Sequence, residues 1–247
     1  MKPIYEMQFT LSHIHTDCFG YAKPSVLLYM AQEAAGEHCT LLNVDREHLS
    51  DKQLFWAVTR TRVQVTRLPR LGETVTVKTW PMPTTRVAYP RSVVAYDADG
   101  NELFRSISLW VLMDEQTRAM VLPGKSGVLV DGTLTGLELT APRAIATKPM
   151  ANACRQRVTY SLLDQNGHMN NTRYMDWVDD LLPSGFHKAH RIQEFTLCYM
   201  NEAREGDEID LQFALTDGPV LTVDAQRQTD AGTDRIFSAQ AVFDCVL

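Results

Sequence analysis

Apolar and polar positions along the 247-residue chain follow a helix-then-strands order that is told twice. In the first half, Pro24 suits the opening turn of a helix, where its missing N–H would be unbonded anyway. Leu27, Ala31, Ala34, Ala35, His38 and Leu42 then share one side at helical spacing, which predicts a helix to about Leu42. Several are alanines, so something can pack close against it. Strand-like alternation follows. Ala57, Thr59, Thr61, Val63 and Val65 interleave with Trp56, Val58, Arg60, Arg62 and Gln64. After the turn Leu71-Gly72-Glu73, Val75 and Val77 alternate with Thr74, Thr76 and Lys78. The turn Asp97-Ala-Asp-Gly100 between Ser92–Tyr96 and Leu103–Met113 predicts a hairpin.

The second half repeats this order. Asp164-Gln-Asn-Gly167-His168 stands where Asp17-Cys-Phe-Gly20-Tyr21 stood. A helix follows, with Tyr174, Trp177, Val178 and Leu181 on one face, and it stops before Pro183 and Gly185. Phe195–Glu202 and Ile209–Leu215 read as strands flanking Gly206-Asp207, the counterpart of Gly72-Glu73. Asp230-Ala-Gly232 is a second hairpin turn, with a last strand through Phe237–Val246. Pro123–Met150, rich in Gly, Thr and Pro, reads as a connector. The pattern predicts an α+β fold in which two antiparallel sheets each wrap a central helix. The expected divisions are 1–130, a linker 131–155, and 156–247.

The copies differ in chemistry. His168 occupies the Tyr21 position and Asn166 the Phe19 position. Four residues before Gly206 stands Glu202, whereas four before Gly72 stands Leu68. The second copy therefore holds Asp164, Asn166, His168 and Glu202 where the first is mainly apolar or aromatic, which predicts one site per chain. His168 or Glu202 can orient and deprotonate a water, and Asn166 can hold that water or a carbonyl. Asp164 would fix the local backbone or the histidine. The segment also precedes a helix, whose unbonded N–H groups suit an oxyanion. The plainer reading is a polar turn with Asx bonds and a helix cap.

Composition narrows the setting. No apolar run approaches the length of a membrane span, and the N-terminus lacks the apolar core of a signal peptide, so a cytoplasmic protein is expected. Five cysteines without CxxC spacing argue against a disulfide framework or zinc site and are expected to be reduced and mostly buried. A net charge of −6 argues against nucleic acid. Val58–Arg91 nevertheless carries Arg60, Arg62, Arg67, Arg70, Lys78, Arg86 and Arg91 against the single acid Glu73. That excess is a candidate docking face for an acidic partner, unless the arginines merely fill the solvated face of strands.

The run Tyr160-Ser-Leu-Leu-Asp164-Gln-Asn166-Gly-His168-Met-Asn170-Asn171-Thr-Arg-Tyr174-Met-Asp-Trp177 resembles the signature of acyl-acyl-carrier-protein thioesterases, bacterial and plant. Thr196-Leu-Cys-Tyr199-Met-Asn-Glu202-Ala203 is similar to that family's second catalytic segment. Gly72-Glu73 with Thr79-Trp80-Pro81, and Ser106–Trp110 with Asp114, also fit. The resemblance implies a tandem hotdog fold and hydrolysis of a fatty acyl thioester. It implies Asp164, Asn166, His168 and Glu202 as the catalytic set, with Asn170, Asn171, Tyr174 and Trp177 in substrate binding. Phosphopantetheine would arrive with the substrate, so no cofactor or metal of the protein's own is expected. The acidic partner would be acyl carrier protein, docking on Arg60, Arg62, Arg67, Arg70, Arg86 and Arg91. Plant members carry a cysteine just after the glutamate. Here that position is Ala203, which removes a nucleophilic thiol and favours water attack.

Other signals are weak. His13-Ile-His15 lacks supporting metal ligands, His187 and His190 follow helix breakers, and Gly124-Lys125-Ser126 lacks the first glycine of a P-loop. There is no G-x-S-x-G elbow. The four tryptophans are expected in the core. An acyl-CoA thioesterase, a dehydratase on the same scaffold and a non-catalytic acyl-binding protein remain as alternatives. A tandem fold already makes the pairing that single-hotdog proteins make by dimerising, so monomer and homodimer are both open.

Overall fold

The computed structural model describes residues 3–146 and 150–246. Thr147–Pro149 of the expected linker lie outside them. The chain divides into two compact units, residues 1–22 with 26–142, and residues 23–25 with 143–247.

In the first unit, β1 (Tyr5–Thr10) precedes α1 (Pro24–Leu41) and the short α2 (Arg46–Ser50). Then come β2 (Leu54–Val65), β3 (Thr74–Pro81), β4 (Tyr89–Tyr96), β5 (Glu102–Asp114), the two-residue β6 (Met120–Val121) and α3 (Pro123–Ser126). The strands run in the order β1-β3-β4-β5-β2, all antiparallel, with β6 beside β5. Helix α1 lies on one face, burying Leu27, Met30 and Ala34 and reaching Arg91 of β4 through His38 and Cys39. The other face is crossed by the segment after α3. There Thr133 N–H donates to the Pro81 carbonyl, the Trp80 indole N–H to Glu138, and Arg105 to the Leu137 carbonyl.

The second unit holds β7 (Asn152–Arg157), α4 (Arg173–Asp179), α5 (Ser184–Ala189), β8 (His190–Tyr199), β9 (Glu208–Leu215), β10 (Val220–Thr229) and β11 (Gly232–Cys245). Their antiparallel order, β8-β11-β10-β9-β7, is that of the first unit with each strand replaced by its counterpart. Tyr174 of α4 packs edge-on against Phe237 of β11 and Tyr199 of β8, with centroids 4.8 and 5.7 Å apart. Each antiparallel sheet thus wraps its helix, which is the double hotdog arrangement.

Several details differ from the pattern. β1 and β7 are edge strands that precede each helix. β7 is built from Asn, Ala, Cys, Arg, Gln and Arg, mostly exposed, so no apolar alternation announces it. It begins inside the expected linker. The second helix ends at Asp179 rather than running past Leu181, and α5 restarts after Pro183, which has no N–H for a continuous helix. β8 ends at Tyr199, leaving Glu202 in the loop beyond it. All five cysteines are free, but only Cys198 is buried, and Cys18 and Cys245 are exposed. Trp80 and Trp177 are buried, while Trp56 and Trp110 are partly buried against the core cluster of Val44, Leu49, Leu54, Tyr89, Leu112 and Val128. Among the described residues no helix is long and apolar enough to cross a membrane.

Candidate active site

The turn that carries His168 is fixed by its own backbone. Asp164 N–H donates to the His168 carbonyl at 2.8 Å and Gly167 N–H to the Asp164 carbonyl at 3.0 Å. The Asp164 carboxylate accepts the Asn166 backbone N–H at 2.7 Å and, at 3.4 Å, its side-chain amide. Gly167 has φ +74°, the left-handed region that glycine enters without steric cost. The first unit builds the same turn. Asp17 N–H donates to Tyr21 at 2.8 Å, Gly20 N–H to Asp17 at 3.1 Å, and Phe19 N–H to the Asp17 carboxylate at 2.9 Å. Gly20 has φ +79°.

A second loop meets each turn in the same way. In the second unit Met169 N–H donates to the Ala203 carbonyl at 2.8 Å and His168 bridges Arg204; in the first, Ala22 N–H donates to Pro69 at 2.8 Å and Tyr21 bridges Arg70. This docking brings Glu202 to His168. His168 Nε2 lies 3.1 Å from Glu202 Oε2, with side-chain exposures of 17% and 37%. A half-buried imidazole–carboxylate pair can accept a proton from water, pass it on and return it.

Arginine holds the loop in place. Arg227 donates to the Glu202 carbonyl at 3.3 Å and pairs with Asp207 at 2.5 Å and Asp234 at 3.1 Å. In the first unit Arg67 takes this part, donating to the Leu68 carbonyl and to Glu73, though it comes from a different place in the chain. Tyr174 is buried close enough to Glu202 and Asp164 for their charges to act on it. Burial pushes its hydroxyl up, and it is hydrogen-bonded to the Ala203 backbone.

Of the expected residues, His168 and Glu202 are brought together, and Asp164 and Asn166 share the turn. Asp164 is engaged with the Asn166 backbone N–H and side-chain amide, and its part is to shape the turn. Asn170 accepts from Thr172 N–H and hydroxyl at 2.9 and 2.7 Å, shaping the entry to α4. The Asn171 carbonyl accepts from the Tyr199 hydroxyl at 3.0 Å. Tyr174 and Trp177 are buried in the aromatic core. The helix expected to stabilise an oxyanion is only seven residues long and starts five residues beyond His168, so its dipole is a small contribution at best.

Sequence reasoning missed Arg204, whose guanidinium is 3.7 Å from Glu202. Its counterpart is Arg70, which donates to Tyr21, the counterpart of His168, at 3.0 Å, so the two copies offered no contrast by which to single it out. Among the described residues, no group of three or more His, Cys, Asp or Glu side chains is placed to hold a metal.

Two family models cover most of the chain, the acyl-ACP thioesterase N-terminal domain over residues 2–122 and the acyl-ACP thioesterase C-terminal domain over residues 147–237. The chain belongs to the acyl-ACP thioesterase family. A chloroplastic palmitoyl-acyl carrier protein thioesterase of Gossypium hirsutum is 25% identical over 217 residues, 81% of this chain and 52% of the relative. One from Arabidopsis thaliana is 30% identical over 163 residues, covering 61% and 39%. The chain thus spans about half the length of the curated relatives it matches. Among solved structures, an acyl-ACP thioesterase from Bacteroides thetaiotaomicron superposes with a TM-score of 0.88 at 24% identity, covering 98% of each chain. The 12:0-ACP thioesterase of Umbellularia californica gives 0.83 at 21%, covering 99% of this chain and 98% of its own. These likenesses establish the double hotdog. Within this acyl-ACP thioesterase family member, Ala203 is fully buried and carries no thiol. Cys198 donates to the Arg143 carbonyl, and on strand β8 it faces the side opposite Tyr199.

Proposed function

We propose that this chain hydrolyses the thioester of fatty acyl-acyl carrier protein, releasing free fatty acid and holo-carrier protein. The observation that carries the reading is the 3.1 Å His168–Glu202 pair, built where the first unit has Tyr21 and Leu68. A water positioned by this pair attacks the thioester carbonyl carbon as its proton passes to the pair. The tetrahedral oxyanion is met by the Asn166 amide and nearby backbone N–H groups. It collapses with cleavage of the C–S bond, and the proton returns to the departing sulfur, giving carboxylic acid and thiol. With Ala203 in place of a cysteine no acyl-enzyme is needed. Phosphopantetheine arrives with the carrier, so the protein supplies no cofactor. Asn170, Asn171, Tyr174 and Trp177 frame the substrate's approach by holding the turn and α4.

The test is thiol release from acyl-carrier protein by the purified chain, beside the matching acyl-CoA. His168→Ala and Glu202→Gln should each lower kcat by about 10²–10⁴-fold with the fold retained. Absence of thiol release from every acyl-carrier protein offered to folded protein defeats the reading. A clear preference for the CoA thioester would transfer it to an acyl-CoA thioesterase.

A further inference from the structure

Both units carry an arginine across from the turn, and the two arginines meet different chemistry. The isolated bridges that pair Tyr21 with Arg70 and His168 with Arg204 set each arginine backbone directly opposite the turn residue. In the first unit the arginine meets a neutral phenol. Arg70 donates to the Tyr21 hydroxyl at 3.0 Å, and its guanidinium lies over the ring, 4.9 Å from the centroid. Leu68 stands there at the place of Glu202. In the second unit the same backbone delivers Arg204 to a pair of ionisable groups. Its Nη2 lies 3.7 Å from Glu202 Oε2, the oxygen that also meets His168 Nε2 at 3.1 Å.

The 3.7 Å separation is longer than a hydrogen bond, and the Arg204 side chain is 65% exposed. Arg204 therefore acts on Glu202 through its charge rather than as a clamp. The neighbourhood is rich in acids. Glu202, Asp164 and Asp207 all act on the buried Tyr174 hydroxyl of α4. Asp207 is matched by Arg227 of β10, at 2.5 Å, and the same guanidinium meets Asp234 of β11 at 3.1 Å. The Asp164 carboxylate accepts the Asn166 backbone N–H and amide. Arg227 reaches the backbone carbonyl of Glu202 at 3.3 Å, while the carboxylate is met by His168 and Arg204. Of these two, Arg204 is the permanent cation, because an imidazole is charged only once it has taken a proton. A fixed positive charge this close disfavours a proton on the pair, whichever member binds it.

We propose that Arg204 is a positioning residue for the reaction: its charge keeps Glu202 ionised, so that the His168–Glu202 pair is unprotonated and ready to take a proton from water. This role rests on the proposed hydrolysis, whereas the charge effect is a property of the unliganded protein. Without the guanidinium the pair would fill with a proton at higher pH, and a larger fraction of the chain could not accept one from water. Because Arg204 acts through Glu202, its loss falls on kcat rather than on KM.

The test is an NMR titration of the His168 imidazole in the unliganded full chain, its resonance assigned by loss in His168→Ala. Arg204→Gln should raise the midpoint by about 0.5–1 pH unit. Arg204→Lys should restore most of the wild-type value, since a point charge suffices where no bidentate hydrogen bond is made. Raising the ionic strength to about 1 M should shrink the difference between wild type and Arg204→Gln, because an exposed charge is screened. With acyl-carrier protein as substrate, the acid limb of kcat should move up by the same interval in Arg204→Gln, with KM and melting temperature unchanged. An unmoved or lowered midpoint in Arg204→Gln overturns the proposal, as does a midpoint in Arg204→Lys equal to that in Arg204→Gln. A raised midpoint with an unmoved acid limb overturns the role of Arg204 while hydrolysis stands. A raised midpoint in a protein whose wild type releases no thiol upholds the charge effect and overturns the hydrolase reading.

Discussion

His168 and Tyr21 hold the same position in two copies of one turn, and Glu202 and Leu68 the same position in two copies of one loop. The backbone therefore does not need the His168 and Glu202 side chains. Replacing His168→Tyr together with Glu202→Leu should give a protein whose melting temperature is nearly that of wild type but which releases no thiol. A double variant that retained activity would remove both residues from the mechanism, and one that unfolded would show that the pair carries stability. Contrast between the copies made these residues legible, because a half-specific His and Glu cannot be explained by turn geometry that both halves share. Arg204 escaped notice for the opposite reason. It has a counterpart in Arg70, so nothing marked it as special until the loop placed it beside Glu202. The burial of Arg91 was equally silent, since one arginine among several in an alternating segment reads as a solvated side chain.

At the scale of elements, two glycines and one carboxylate hold the framework. Gly167 has open space around a built Cβ, so Gly167→Ala is resisted only by φ +74°. It should cost about 1–2 kcal/mol and lower kcat by tilting His168, which denaturant melts and thiol release would read together. Gly132 is the reverse case. An added Cβ would lie 2.2 Å from the Met82 carbonyl carbon and Pro83 nitrogen, so Gly132→Ala must push the crossing segment off the end of β3. A loss of about 1–3 kcal/mol is expected, and an unchanged melt would show that this approach is not needed. Glu138 anchors the same segment. Burial pushes its carboxyl up, but hydrogen bonds from Thr135, Gly136 and the Trp80 indole outweigh this and bring it from 4.5 down to about 2. A depressed folded value means that the stabilisation is complete above pH 4.5 and fades as pH falls toward 2. Glu138→Gln should cost on the order of 1 kcal/mol at neutral pH, allowing for solvent screening, and should flatten the acid limb of a stability titration followed by Trp80 fluorescence. An identical slope in the variant would assign that limb to other groups.

Across the whole molecule, the arginines of Val58–Arg91 do not form the uniform docking face that their number suggested. Arg91 is buried against α1, a correction that follows from its place on the helix-facing side of β4. Arg67 is committed to Glu73 and Asp97, Arg70 to Tyr21, and Arg60 to the Pro142 carbonyl at 3.4 Å. Arg86 is exposed. Arg67→Glu should therefore reduce stability more than affinity for an acidic carrier, whereas Arg86→Glu should raise KM for acyl-carrier protein without altering the melt. Equal KM for wild type and Arg86→Glu would remove Arg86 from any docking surface. Sequence alone determined the doubling, the helix-then-strands order and the asymmetry of the two turns, because periodicity and glycine placement are local properties of the chain. Only the tertiary structure decided which distant groups meet. Loop docking carried Glu202 to His168, strand register turned Arg91 inward, and ion pairing withdrew Arg67, since side-chain encounters depend on register and packing that no single segment encodes.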